Sequence, residues 1–151
     1  MRKIILLAAG MFLSLQFLNA QTAEDSVKTT VNKLFEAMKN SDGALLKSTF
    51  ADSAILQTIG TDNTGASVIK NETVADFADI VSKQTKGSLD ERIEFGTIKI
   101  DGALAMVWAP YKFYYNGTFS HCGVDAFQLV RMKNGWKIQY LIDTRRKSGC
   151  N

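Results

Sequence analysis

The chain has 151 residues, 46% of them hydrophobic and 22% charged, with a formal net charge of +3, two cysteines and one proline. That suits one domain with one core, and no internal repeat, low-complexity segment or linker breaks it. The charge is concentrated where it will not count: without Arg2 and Lys3, 16 basic residues face 15 acidic ones, which leaves no electrostatic case for nucleic acid or an anionic membrane surface.

Met1 to Ala20 reads as a secretory signal peptide. Arg2 and Lys3 form a charged start, Ile4 to Leu18 an apolar stretch, and Asn19-Ala20 puts a small residue at the cleavage position. The apolar run is short for a membrane span of ~20 residues. No cysteine follows the cleavage position, which argues against a lipoprotein. Residues 21–151 would then be a single exported domain, periplasmic or secreted, with no membrane attachment after cleavage.

From Thr22 to Lys39, Val27, Val31, Leu34, Phe35 and Met38 recur at helical spacing among polar residues, predicting an amphipathic helix. Asn40 to Gly43 breaks it. Ser41 or Asp42 can cap a short second helix that runs to Phe50, with Leu45, Leu46 and Thr49 inward. Ala54–Ile59 reads as a strand, Gly60–Gly65 as a loop, and Ala66–Ile69 as a short returning strand. Val74, Phe77, Ala78 and Val81 mark a third amphipathic helix over 71–83, with Asn71 as its cap.

From Ile93 to Arg146 the pattern changes to runs of β-branched and aromatic residues punctuated by Asp101-Gly102, Asn116-Gly117 and Asn134-Gly135. Such pairs suit the type I′ turn, whose two central residues need positive φ, so three of them predict a four-stranded antiparallel meander. With each Gly as the second central residue, Trp108 lies opposite Asp125, and Pro110 opposite Gly123. Alternation then puts Trp108, Tyr114, His121, Asp125 and Tyr140 on one face, and Ala105, Val107, Ala109, Tyr111 and Phe113 on the other. A single bulge would swap these faces beyond it. Pro110 cannot donate to a ladder, so its nitrogen should meet an edge or a bulge. Helices gathered on one face of such a sheet make an α+β domain, and a curved sheet closed by three helices on its concave face makes a cone with an apolar pocket.

Two groups carry candidate chemistry. Asp125 lies in a central strand, and His121 is the single histidine. Four residues of strand separate them by ~13 Å, too far for a direct dyad, though both can line one pocket. Asp125 is either a general base with a raised pKa or a carboxylate paired with Thr144, Trp108 or Arg146. Trp108, Tyr114, Gly123 and Tyr140 are the candidate ligand contacts, with core packing the competing reading for Trp108 and Tyr140. Asp143 and Arg145 fall on the face opposite Asp125 and read as surface or interface pairs. Arg145-Arg146-Lys147 reads as a solvated basic end. Cys122 and Cys150 can form a disulfide in an oxidising compartment, or remain a buried and an exposed thiol. His121 and Cys122 point to opposite faces with no second histidine, so no metal site or other cofactor is expected.

The runs Val107-Trp108-Ala109-Pro110-Tyr111, Phe119 to Asp125, Gly135-Trp136-Lys137-Ile138 and Asp143-Thr144-Arg145-Arg146 resemble exported bacterial members of the nuclear transport factor 2-like superfamily, within its SnoaL-like and putative lumazine-binding branches. The resemblance covers nearly all of residues 21–151. It implies the cone-shaped, cystatin-like fold. The second face of the sheet, with Ala105, Val107, Ala109, Tyr111, Phe113, Val124 and Ala126, would make a broad apolar patch if exposed, which predicts a homodimer through the sheet, as is common in that superfamily. Function follows less directly, because the superfamily holds isomerases, dehydratases, cyclases, binding modules and transport factors. The expectation is an exported domain that binds a small apolar or aromatic molecule. The alternatives are a lyase or isomerase using Asp125 and His121 for acid–base chemistry, and a dimeric protein-interaction module.

Overall fold

The computed structural model of the chain describes residues 22–150; the expected signal peptide lies outside them. Helices α1 (Ala23–Asn40), α2 (Gly43–Thr49) and α3 (Val74–Ser82) cover one face of a sheet of seven strands: β1 (Phe50–Thr61), β2 (Ser67–Glu72), β3 (Leu89–Ile93), β4 (Thr97–Asp101), β5 (Leu104–Tyr115), β6 (Thr118–Met132) and β7 (Gly135–Thr144). The sheet order is β2-β1-β7-β6-β5-β3, with β4 also paired to β5.

Each helix begins where its side chains satisfy the free N–H groups of a first turn. In α1, Thr22 Oγ1 accepts from the Asp25 amide at 3.0 Å while the Thr22 amide donates to Asp25 Oδ2 at 3.3 Å, a capping box. Asp42 caps α2 through the Leu45 amide at 2.8 Å. Thr73, not Asn71, caps α3; Asn71 is spent in β2, where its side chain accepts from Gln57 Nε2 at 2.8 Å. The stripe Val27, Val31, Leu34 and Met38 of α1 is buried against Val107, Phe127, Leu129 and Ile138 of the sheet, and the Phe35 and Phe127 rings meet edge to face at 6.2 Å.

The meander β4-β5-β6-β7 forms as expected, and its middle turn has Asn116 and Gly117 at φ 51° and 77°. The outer two turns are centred elsewhere: Asp101 pairs with Leu104, and Met132 with Gly135. Each slip moves the pairing by two, which preserves faces. Two bulges do not. Phe113 pairs with His121 but Tyr114 with Phe119, so Ser120 is extra; Leu129 pairs with Ile138 but Gln128 with Tyr140, so Gln139 is extra. Each flips every side chain beyond it.

The expected faces are corrected accordingly. Ala109, not Trp108, lies opposite Asp125, and Tyr111, not Pro110, lies opposite Gly123. Ala105, Val107, Ala109 and Tyr111 are buried beneath the helices with Asp125 and Phe127, so they are not an exposed patch. Trp108 is 48% exposed on the outer face, beside Leu104 and Met106. Two further departures concern the edges of the meander. The sheet is mixed rather than wholly antiparallel, since β1 runs parallel to β7, with Leu56 beside Leu141 and Thr58 beside Asp143. The strand beside β5 is also longer than expected: β3 continues the edge past Pro110, which sits opposite the break between β3 and β4, where the Glu94 and Gly96 amides donate to the Pro110 and Trp108 carbonyls. A bulge thus accommodates the proline.

Candidate functional site

At one end of the inner face the apolar packing stops and a cavity of about 300 Å³ opens between sheet and helices. Its helix side is apolar: Leu34, Phe35 and Met38 from α1, Phe77 and Ile80 from α3. Its sheet side carries the polar groups: Glu91 from β3, Tyr111 from β5, His121 and Asp125 from β6, and Asp143 from β7 with Arg145 just beyond.

The two aspartates are direct register partners across β6 and β7, yet their surroundings differ. Asp143 is fully served. Thr58 Oγ1 donates to its Oδ1 at 2.6 Å, and Arg145 Nε and Tyr111 Oη donate to its Oδ2 at 2.8 and 3.2 Å. Asp125 is 4% exposed, and its Oδ2 is buried with no hydrogen-bond donor among the described residues. Its interacting neighbour is the Glu91 carboxyl, another acceptor. Two ionised carboxylates in that position would leave both unsatisfied, so the pair is stable only with a proton between them or a donor from outside. Burial, then the Glu91 charge, push Asp125 well above the usual carboxylate range. Burial pushes Glu91 up to about 7. Glu91 keeps accessible surface, but it opens into the cavity.

Tyr111 also donates to the Thr144 carbonyl at 2.9 Å, and burial drives its phenol above the ordinary range, so it stays a neutral donor. Its ring lies across Gly123. A Cβ at residue 123 would sit 2.7 Å from that ring and 1.7 Å from the Thr144 carbonyl oxygen, so the strand crossing requires glycine. His121 touches Tyr111 edge to face at 5.7 Å and Phe113 at 5.1 Å. Burial lowers its pKa, with Arg145 acting in the same direction, so its imidazole is neutral at neutral pH.

Asp125 and His121 therefore do line one cavity. Of the candidate ligand contacts, Gly123 lies beneath Tyr111, whereas Trp108, Tyr114 and Tyr140 are directed away from the cavity: Tyr114 packs on Phe119 and Arg92, and Tyr140 Oη donates to Gln57 at 2.6 Å on the outer face. The Ser120 and Gln139 bulges account for both sets of placements. They also bring Tyr111, Asp143 and Arg145, read from sequence as lying opposite Asp125, onto its face. Glu91 carried no sequence signal beyond the alternation Leu89, Glu91, Ile93. Cys122 and Cys150 form a disulfide with their Cα atoms 5.8 Å apart, and Arg146 bridges Cys122 through two backbone hydrogen bonds of 2.9 Å. No cluster of three metal-ligating side chains occurs among the described residues.

The model of the family described as Putative lumazine-binding matches residues 22–140. No curated protein matches the chain. Solved structures share the fold. A nuclear transport factor 2-like protein of unknown function from Shewanella baltica is 15% identical with a TM-score of 0.66, over 83% of this chain and 94% of that one. A domain of unknown function with a cystatin-like fold from Nostoc punctiforme is 15% identical with a TM-score of 0.65, over 84% and 79%. A protein of the same superfamily from Streptomyces avermitilis, described as a putative dehydratase, is 14% identical with a TM-score of 0.64, over 82% and 96%.

Proposed function

We propose that this chain, which belongs to the Putative lumazine-binding family of nuclear transport factor 2-like proteins, is a small-molecule-binding domain whose site is the cavity between α1, α3 and the inner face of the sheet. The observation that carries this is the division of that cavity into an apolar helix side and a polar sheet side, the usual form of a ligand site. Its size, about 300 Å³, is at the low end for such sites and favours a compact ligand. Native mass spectrometry of protein purified without denaturation tests it: a retained small molecule lost on Phe77→Trp, which fills the cavity, supports the reading. A ligand retained equally by that variant, or soluble-ligand screens in which nothing is protected by or protects the cavity, would remove it.

A second reading, a lyase or isomerase, is favoured by one observation: a buried carboxyl with a raised pKa and a neutral imidazole share the cavity, which suits proton abstraction and return. The description of the Streptomyces avermitilis neighbour points the same way. Asp125→Asn would abolish turnover while leaving binding.

Export and dimerisation complete the proposal. A disulfide suits an oxidising compartment, in line with the leader read from the sequence of residues 1–20. For the dimer, the outer rather than the inner face offers the surface, since Leu104, Met106, Trp108 and Ile55 are 51%, 38%, 48% and 53% exposed there. Trp108→Glu would turn a dimer into a monomer in light scattering; a wild-type monomer at micromolar concentration would remove this part.

A further inference from the structure

We propose that the cavity takes a small hydrophobic cation, an amine that is protonated at neutral pH and carries an aryl or alkyl body, with its ammonium group seated between Glu91 and Asp125. This deepens the small-molecule reading above and rests on it.

The argument begins with charge. Four carboxyl groups line the cavity: Glu72, Glu91, Asp125 and Asp143. Among the described lining residues Arg145 is the only cation, and its guanidinium is committed, donating to Asp143 Oδ2 at 2.8 Å and to Thr58 Oγ1 at 3.2 Å. That pair cancels. His121 is neutral and Tyr111 keeps its proton, already donated to Asp143 and the Thr144 carbonyl. The lining residues of α1 and α3 bring no charged group to this space. Glu72, Glu91 and Asp125 are left without a counter-charge, and of these Glu91 and Asp125 interact directly with each other.

The second observation is independent of the charge count. Asp125 Oδ2 is buried, lines the cavity and receives no hydrogen bond from the described residues. An unsatisfied buried carboxylate oxygen is costly, and here only a proton or a ligand donor can relieve it. An ammonium has three N–H donors and a full positive charge, so it can serve both carboxyls at once. An anionic ligand would add to the excess, and a neutral acceptor would leave it in place. The apolar body of the amine then falls against Phe35, Phe77 and Ile80, which face the carboxyls across the cavity.

Proton and cation compete for the same two carboxyls. The shared proton leaves when the ammonium arrives, so binding strengthens as pH rises, through the titration of Glu91 near 7 and onward for as long as Asp125 holds the shared proton. Asp143 acts on the pair from β7 in the same direction as burial, and Arg145 opposes it; Glu72, itself raised by burial, lines the same cavity from β2.

The test is calorimetric titration of the full chain with phenethylamine, phenethyl alcohol and 3-phenylpropionate between pH 5.5 and 8.5, in buffers of different ionisation heat. The expected result is that the amine binds at least about tenfold tighter than the alcohol at pH 8, weakens about tenfold per pH unit on the acid side, and releases close to one proton. The isosteric pair Glu91→Gln with Asp125→Asn should abolish the preference while a thermal melt shows an intact fold. Alcohol or carboxylate binding as tightly as the amine overturns the cation and leaves the small-molecule reading standing. Amine binding with unchanged affinity in the double variant also overturns it. Failure of all three probes to bind at millimolar concentration overturns both readings.

Discussion

Strand β6 serves two regions that differ in what holds them. Around Phe127 and Leu129, both fully buried, the inner face is apolar and is held by packing against α1. Two residues earlier, at Asp125, the same face turns to carboxyls, a phenol and a guanidinium, and is held by hydrogen bonds, one ion pair and, behind it, the Cys122–Cys150 bridge. The first region stabilises the fold without specifying a partner. The second tolerates an unsatisfied buried oxygen, a local cost a fold retains only where something else uses it.

The largest expected effect lies in the packed region. Phe127→Ala removes a fully buried ring in edge contact with Phe35 and should cost about 3–5 kcal/mol, read as a lowered midpoint in urea with unchanged slope. A loss under about 1 kcal/mol would mean the two regions are not distinct in packing. Next comes the bridge. Cys150→Ser, or reduction, opens a loop closed across a sequence separation of 28 and should cost about 2–4 kcal/mol. If the division holds, the variant keeps its far-ultraviolet dichroism but loses protection at the Tyr111, Asp143 and Arg145 end in hydrogen exchange.

The third test is pH. Glu91 is raised from its ordinary value near 4.5 to about 7, and Asp125 is raised in the same direction. The folded chain therefore holds protons that the unfolded chain gives up. The favourable contribution of the protonated Glu91 is complete below about 4.5 and is lost as pH rises through about 7, and that of Asp125 is lost at higher pH in the same direction. Thermal midpoints should fall from pH 5 to pH 8 in wild type relative to the Glu91→Gln, Asp125→Asn pair; the same pH dependence in both would refute the raised pair. His121, lowered by burial, opposes this fall at the acid end of the window, and Asp90, lowered chiefly by Lys39, acts the opposite way only at more acid pH. Smallest is Thr73→Ala. It removes the cap of α3, the helix that supplies Phe77 and Ile80, and should cost about 1 kcal/mol while weakening ligand retention more than Phe127→Leu does.

The packed region was legible in the sequence and the polar one was not, for a reason of parity. Val27, Val31, Leu34, Phe35 and Met38 declare their face by helical spacing alone. Strand faces depend on register, and register accumulates errors along a meander. The turns around Gly102 and Asn134 each slip by two residues, which changes partners but not faces. Ser120 and Gln139 each insert one, which changes faces. Neither residue differs in type from many that sit in regular strands, so the sequence offers no mark of the bulge. At the site, sequence alternation finds Asp125 and His121 but puts Tyr111, Asp143 and Arg145 on the wrong side of the sheet. Glu91 required knowing that the edge strand resumes before Gly96.

The parallel pairing of β1 with β7 is the long-range closure of the sheet, and contact order predicts that it forms after the meander. The meander strands meet through turns of two residues and can zip up locally. Thr58 reaches Asp143 only across 85 residues of chain, a closure whose entropy must be met before any contact rewards it. The wall of the cavity formed by Leu56 and Thr58 therefore arrives after the sheet it joins. During refolding, a nascent sheet would already carry Asp125 and Asp143 side by side, with the Thr58 donor still absent.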